Sequence, residues 1–243
     1  AITFDNPNSY VVTGAATLTV EVSSGEASVD VLQGDHRLNL PTVFARDANL
    51  AVAGGASFTV ADPLTVNANV TVTKTGSGSF EVLSPIAFGA NAVLNVESGA
   101  MALGSDQQLT GLAMGPTARL DMQDNTIVLE YGEGESTLQQ VMQWIQDGQI
   151  TSSQDGEDMA LGYFDDADAN AVIVAYTRLG DINCDGAVTA ADYTLWADHF
   201  GAEAGNWPEG DLNGDGDVTA ADYTLWADNF GWTADVPASI PEP

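Results

Sequence analysis

Two stretches near the end of the chain place oxygen-bearing side chains at the same intervals. They run from Gly180 to Gly201 and from Gly210 to Gly231, and they differ at only four of 22 positions. In each, Asp or Asn occupies positions 1, 3, 5 and 12 of a loop, and Gly occupies position 6. Because Gly allows a tight turn, alternate side chains of such a loop can converge on one cation. This set of hard oxygen donors predicts two calcium sites.

Each predicted site has four side-chain ligands and one backbone carbonyl. The carbonyl comes from position 7, and Thr189 or Thr219 at position 9 acts through a water molecule. Position 12 holds Asp where the EF-hand has Glu. The predicted ligands are Asp181, Asn183, Asp185, Ala187 and Asp192 in the first loop, and Asp211, Asn213, Asp215, Asp217 and Asp222 in the second.

A simpler interpretation of these residues is a pair of capped helices without metal. The sequence ThrAlaAlaAsp, at 189–192 and again at 219–222, is a helix capping box. Asp-Gly pairs are also ordinary turn formers. Two complete copies in register favour calcium over helix caps alone.

The Asp at position 12, the lack of a helix before each loop and the tandem copies resemble the type I dockerin, the calcium-dependent docking module of cellulosome-like assemblies. The resemblance covers Gly180 to Gly231. It implies two loop-helix units related by a pseudo-twofold axis, and a cohesin on a partner protein as the binding target. Ala190 and Ala191, like Ala220 and Ala221, depart from the polar or mixed recognition residues that such modules usually carry there.

Each copy also has more aromatic surface than so small a module easily buries. We predict that four of these rings contact a partner, with packing in the core of the module as the alternative for the Trp pair. The predicted partner-binding residues are Tyr193, Trp196, Tyr223 and Trp226.

The charge of the chain restricts its partners. Its net charge is −30, with five Lys and Arg against 35 Asp and Glu. Nucleic acids and anionic membranes are therefore disfavoured as partners, whereas divalent cations are favoured. No run approaches the roughly 18 apolar residues of a membrane span, so we expect no membrane insertion. The start at Ala1 is consistent with a removed signal peptide or a cloning boundary, and we predict an extracellular or cell-surface location.

The single cysteine lies inside the first loop. Cys184 occupies position 4, where the second copy has Gly214. It cannot form an internal disulfide, so it is either a tolerated variable position or a site of pairing between molecules.

The first part of the chain, residues 1–134, breaks into short runs in which apolar residues alternate with polar ones. Three such runs recur about every twenty to twenty-six residues, a period typical of solenoids. We predict a parallel β-helix (β-solenoid) of roughly five or six coils. A β-sandwich is the alternative, but the grouping in threes favours the solenoid. The pattern also resembles the β-helix repeats of bacterial secreted adhesins. Predicted inward pairs include Val29/Val31, Phe58/Val60, Phe80/Val82 and Leu94/Val96.

The residues after the solenoid are predicted to close its last coil. A cap spans 135–179 and contains a helix at 136–147, with Ser136 as its N-cap, and a buried strand at 171–176. The predicted fold class is therefore mainly β: a parallel β-helix with a helical cap and a small α-helical, dockerin-like calcium module.

The module is predicted to span 180–231, followed by a Pro-rich tail at 232–243. The last three residues, ProGluPro at 241–243, resemble the start of a PEP-CTERM sorting signal, although the membrane helix and basic cluster of that signal are missing. An ordinary Pro-rich terminus is the alternative.

Enzymatic activity is not predicted, although parallel β-helices include polysaccharide lyases and hydrolases. The run AspHisArg at 35–37 is typical of a surface turn, and acids such as Glu81 and Glu97 occupy solvent-facing alternates instead of a paired arrangement. The remaining basic candidates are scattered: Arg46, Lys74 and Arg119.

These features predict a secreted, calcium-binding structural or assembly protein. Its dockerin-like module would join the solenoid to like subunits, as a head-to-tail homopolymer that forms extracellular fibres, or to a cohesin-like or surface protein. The alternative is a non-catalytic, carbohydrate-binding or accessory component docked to a cohesin-bearing scaffold.

Overall fold

The computed structural model describes residues 1–234. Two compact units are present. One consists of Ala1–Gln154 and Asp165–Val174, and the other of Asp155–Phe164 and the described residues from Ala175 onward. Most of the predicted tail, including the ProGluPro sequence at 241–243, lies outside the described residues.

Short strands dominate the first unit, because its apolar residues alternate over runs of three to five positions. In chain order the strands are β1 (Ile2–Asp5), β2 (Val11–Thr13), β3 (Leu18–Val20), β4 (Ala27–Gln33), β5 (Asp35–Asn39), β6 (Thr42–Phe44), β7 (Ala48–Val52), β8 (Ser57–Val60), β9 (Leu64–Val66), β10 (Thr71–Thr75), β11 (Ser79–Val82), β12 (Ile86–Phe88), β13 (Val93–Leu103), β14 (Gln107–Leu109), β15 (Leu112–Asp121), β16 (Thr126–Glu130), β17 (Ile150–Thr151), β18 (Met159–Asp166) and β19 (Ala171–Arg178). The helices are α1 (Leu138–Gln146), α2 (Ala190–His199) and α3 (Ala220–Asn229), with a 3-10 turn at Trp207–Glu209.

The strands pair in parallel with the strand one coil further along the chain. One face has the order β1-β4-β7-β10-β13, a second has β2-β5-β8-β11-β13, and a third has β3-β6-β9-β12. The long strand β13 belongs to the first two faces, and β15 pairs with it along both. A further sheet has the order β14-β16-β19-β18. The predicted parallel β-helix is thereby confirmed, with about five turns.

The core of the solenoid consists of inward-facing side chains that stack on the side chains at the equivalent positions of the next coil. Phe58 pairs with Phe80 and Val60 with Val82, each 22 residues further along the chain. Their side chains are buried, as are those of the other predicted inward pairs named above. Each such side chain stabilises the folded state by about 1.5–3 kcal/mol. The repeat length is therefore the coil length, as the sequence period predicted.

The N-cap of helix α1 lies one residue after the predicted N-cap, Ser136. Thr137 is the N-cap, and its side chain makes no capping hydrogen bond. Ser136 still serves the helix start, because its hydroxyl accepts a hydrogen bond from the amide of Leu138 (3.2 Å). The buried face of the helix is formed by Val141 and Trp144.

The prediction of a surface turn at 35–37 was wrong, because His36 is buried in strand β5. Its Nδ1 accepts a hydrogen bond from the amide of Tyr10 (3.1 Å), and its Nε2 bonds to the carbonyl of Gln33 (2.8 Å). The ring stacks between Phe4 and Tyr10, with centroids 4.9 and 5.4 Å away. The imidazole is therefore a structural part of the second coil, where it contacts the first.

Lys74 is the other unexpected inward residue. It occupies a position at which the neighbouring strands have Leu50 and Val96, and none of its surface is exposed. Its ammonium group donates three hydrogen bonds, to the carbonyls of Gly78 (2.6 Å), Gly76 (2.7 Å) and Ser98 (2.9 Å). Burial lowers the pKa of Lys74 to about 8. This lysine links three backbone carbonyls at a corner of the solenoid. It is inaccessible to a polymeric substrate.

Replacing Lys74 with Met is expected to destabilise the solenoid by about 3 kcal/mol or more. The substitution keeps an unbranched chain but removes a donor from three carbonyls, and a buried group left unsatisfied costs about 1–3 kcal/mol. Urea unfolding followed by circular dichroism measures the change. Thr73→Val, on the outward side of the same strand, is the matched control and should stay within about 1 kcal/mol of wild type. Equal stability of the Lys74→Met and wild-type chains would contradict this role.

Candidate functional site

The first predicted calcium loop is organised around the carboxylate of Asp181, which is fully buried. Its Oδ1 accepts a hydrogen bond from the amide of Asp185 (3.0 Å), and its Oδ2 accepts from the amide of Gly186 (3.1 Å) and from the hydroxyl of Thr177. The pKa of Asp181 is raised to about 6, chiefly because burial disfavours its charge. Thr177 lies outside the repeated stretch, and no sequence signal indicated its contact.

The second loop has a similar arrangement, in which the amide of position 4 replaces that of position 5 as the donor to Oδ1. Asp211 is buried and accepts hydrogen bonds from the amides of Gly214 (2.8 Å) and Gly216 (2.9 Å). At position 6, Gly186 and Gly216 have φ values of +86° and +90°, in the left-handed region that favours glycine. The turn predicted from the glycine spacing is therefore present in both copies.

The Asp at position 12 ties each helix to the start of its loop. Asp192 Oδ1 accepts from the amides of Ile182 (2.8 Å) and Asn183 (3.2 Å), and its Oδ2 accepts from the amide of Thr189 (2.8 Å). Asp222 makes the equivalent bonds, and both helices have a complete capping box. The capping interpretation is thus correct as far as position 12 is concerned.

Positions 3 and 5 lie at the exposed rim of each loop. Asn183 Nδ2 donates to Asp185 Oδ2 (2.8 Å), and Asn213 makes the same bond to Asp215 (2.9 Å). Within residues 1–234, no group of three or more His, Cys, Asp or Glu side chains is placed to hold a metal. The structure therefore brings positions 1 and 12 into the interior of the loop but leaves positions 3 and 5 bonded to each other.

The backbone bridge at position 7 does not use the carbonyl of that residue. Ala187 forms an isolated antiparallel bridge with Thr233, and Asp217 forms one with Glu203. In the first bridge the bonds use the carbonyl of Gly186 and the amide of Val188, so the carbonyl of Ala187 is not used by them.

The residues fit Ca²⁺ in donor chemistry and in charge. Each loop offers carboxylate, amide and carbonyl oxygens and no nitrogen or sulfur ligand, as Ca²⁺ requires. In the part of the chain that the structure describes, the one ion pair joins Arg178 to Asp158, so the buried loop carboxylates have no basic partner there. A buried carboxylate is costly unless it is paired or bound to a metal. The set of buried Asp residues comprises Asp181, Asp192, Asp211 and Asp222.

The two copies contact each other reciprocally. The indole nitrogen of Trp196 donates to the carbonyl of Thr219 (3.0 Å), and that of Trp226 donates to the carbonyl of Thr189 (2.9 Å). The two isolated bridges are also reciprocal. The loop of each copy pairs with the segment that follows the helix of the other copy. The copies are therefore related by a pseudo-twofold axis.

An aromatic row crosses this axis. It is defined by six rings with neighbouring centroids 5.0–5.6 Å apart, in the order Phe200, Trp196, Tyr223, Trp226 and Phe230, with Tyr193 packed against both Trp rings. The Trp residues are half-buried, whereas Tyr193 and Tyr223 are each 41 % exposed. Phe200 and Phe230, which were not among the predicted partner-binding residues, are more exposed still, at 59 % and 57 %. Their position just after the helix ends was the available signal.

Cys184 is buried within the second unit. A Cβ atom on Gly162 would lie 2.9 Å from its sulfur and 2.8 Å from the ring of Trp207, so the thiol is enclosed. Burial raises the pKa of Cys184 well above its usual range, which makes it a poor nucleophile. Pairing between molecules would require this part of the unit to open.

The first unit is thus a parallel β-solenoid, and the second contains a duplicated loop-helix module. Residues 179–228 of this module match the family model described as the dockerin type I domain. The chain therefore carries a type I dockerin domain, as the resemblance predicted. Such domains bind calcium and dock to cohesin partners. No curated protein and no solved structure matches the chain. Among residues 1–234, no helix is long and apolar enough to cross a membrane.

Proposed function

We propose that this chain is an extracellular or cell-surface structural component whose β-solenoid is attached to a cohesin-bearing partner by its calcium-loaded dockerin domain. The observation that carries the proposal is the pair of loops with buried, unpaired carboxylates inside the region that matches the dockerin family. In this proposal the dockerin domain binds the partner, and the solenoid is the part of the chain that is thereby attached.

Calcium would complete the two loops. The ligands are those given above, from Asp181 to Asp192 and from Asp211 to Asp222. For the rim residues to join them, Asn183 must release Asp185 and turn its oxygen inward, and Asn213 must release Asp215. The bound ions would then neutralise the buried charge and fix the loops, and with them the relative position of the two helices.

The aromatic row is the proposed docking surface. Exposed Tyr and Phe rings supply a large apolar contact area at a small cost in side-chain entropy, which is typical of binding hot spots. The half-buried Trp rings beneath them are held by hydrogen bonds to the opposite copy. The predicted residues Tyr193, Trp196, Tyr223 and Trp226 therefore contribute both contact and support.

The burial of two basic residues supports a structural role for the solenoid. Lys74 and His36, two of the basic residues considered as catalytic candidates, are buried and hydrogen-bonded to backbone groups, whereas Arg46 is exposed. We propose a non-catalytic function, in which the solenoid is a spacer or accessory component of the docked assembly.

Surface plasmon resonance of the full chain over immobilised type I cohesin domains tests the proposal. We expect saturable binding in millimolar calcium that is lost in EDTA, and a monomer by light scattering in both solutions. Calcium-independent binding, or no binding to any cohesin of a broad panel, would contradict it. Calcium-dependent filaments of the chain alone would instead favour the head-to-tail homopolymer, which the comparisons do not support.

A further inference from the structure

An open groove of about 800 Å³ lies in the solenoid unit, near α1. Its walls come from chain segments far apart in sequence: the corner after β12, the start of β15, the end of β16 and the face of α1. None of the features described so far uses this groove. Its size lies within the range of small-molecule and cofactor sites, which is about 300–1,000 Å³.

Two aromatic rings in the lining are held in place. Trp144 of α1 is only 7 % exposed. Tyr131 is fixed at both ends, because its hydroxyl donates to Asp165 Oδ1 (2.9 Å) and its amide donates to the carbonyl of Asn170 (3.0 Å). The partly exposed ring of Tyr131 provides an apolar surface without a large entropic cost on binding, and the mostly buried Trp144 contributes only a small exposed part of its ring.

The polar groups of the groove are hydrogen-bonding but never basic. The lining contains amides, hydroxyls and carboxylates, and no Lys, Arg or His. Among the described residues, the Thr137 hydroxyl is buried without a hydrogen-bond partner, although it is the N-cap of α1. A buried polar atom without a partner is unfavourable, and a ligand hydroxyl could supply the missing hydrogen bond. The polar lining includes Asn91, Thr110, Glu130, Glu135, Thr137 and Gln140.

From this combination we infer that the groove binds a neutral oligosaccharide. Such a ligand has apolar ring faces to lie against aromatic side chains and hydroxyl groups to satisfy amides, hydroxyls and carboxylates. Acidic glycans and nucleic acids are disfavoured, since the chain carries a net charge of −30 and the groove offers no basic group. A lipid tail is disfavoured by the carboxylates and amides of the lining.

Isothermal titration of the full chain with neutral hexasaccharides tests this inference. The probes are cellohexaose, xylohexaose and mannohexaose, with a hexagalacturonate of equal length as the anionic comparison. We expect saturable binding of at least one neutral probe and none of the anion. Binding should persist in EDTA, so the outcome is independent of calcium and of docking to cohesin.

Paired variants on α1 locate the site. Gln140→Ala removes an exposed polar group that lines the groove, whereas Gln139→Ala changes the exposed neighbour that does not. Loss of one hydrogen bond of about 1 kcal/mol should weaken binding about fivefold in Gln140→Ala and leave Gln139→Ala unchanged. Trp144→Phe should weaken it further, and its circular dichroism spectrum reports whether it folds. Absence of binding by every neutral probe, equal binding of the anion, or equal losses in the two Gln variants would overturn the inference.

Discussion

Replacing both Asp181 and Asp211 with Asn is expected to abolish the stabilisation of the dockerin domain by calcium. At a free calcium concentration one hundred times the dissociation constant, each occupied site adds about 2.7 kcal/mol to the folded state. The variant removes a charged ligand from both loops while it keeps the side-chain shape. Differential scanning calorimetry in calcium and in EDTA should show a large shift of the melting temperature for wild type and almost none for the variant.

In EDTA the same variant is expected to differ little from wild type. Removing a buried charge without a countercharge is favourable, but the amide nitrogen of Asn cannot accept the backbone hydrogen bonds that each carboxylate oxygen accepts. A difference between the two chains that is large in calcium and small in EDTA separates metal binding from a general packing defect. The control is Asp198→Asn with Asp228→Asn, which makes the same change in charge at equivalent exposed positions of α2 and α3. A calcium shift that survives in the loop variant, or vanishes in the control, would show that these loops are not the sites.

Truncating the exposed ends of the aromatic row is expected to weaken docking strongly without unfolding the domain. Phe200→Ser with Phe230→Ser removes two rings that are 59 % and 57 % exposed, so little folded-state packing is lost. If both rings contact the partner as hot spots, each costs about 2 kcal/mol, or roughly thirtyfold in the dissociation constant. Surface plasmon resonance against the cohesin that binds wild type measures the effect.

Leu32→Ser provides the comparison for this experiment. Leu32 is an exposed apolar residue of the solenoid, 51 % accessible, and lies outside the dockerin domain. We expect the Leu32 variant to bind cohesin as wild type does. Wild-type affinity in the double Phe variant, with calcium binding intact, would exclude the aromatic row as the docking surface. Other positions of the two helices would then have to bind the cohesin.

The sequence was sufficient to predict the solenoid, because alternation and coil length are local properties that repeat. The pairing of Phe58 with Phe80 follows directly from that period. The inward Lys74 could not be predicted in the same way, since its role depends on the carbonyl of Ser98, 24 residues away. His36 was misplaced for a similar reason: its partner Tyr10 lies in the preceding coil.

The loops were predictable from their duplication, but their surroundings were not. Positions 1, 6 and 12 have the expected buried carboxylates and left-handed glycines. The bond from Thr177 to Asp181 and the exchange of Trp196 and Trp226 between copies depend on how distant segments pack. The exposure of the aromatic row depends on this packing too. The sequence pattern alone could identify its rings, but it could not show which rings are exposed to a partner and which are packed inside the domain.

The stoichiometry of calcium binding tests the central claim most directly. Isothermal titration of the metal-free full chain with CaCl₂ should give two ions per chain, with binding lost in the variant that carries Asn at positions 181 and 211. A stoichiometry of two would establish both loops as metal sites. Absence of calcium binding in a folded chain would contradict the account and leave the repeats as a pair of capped helices.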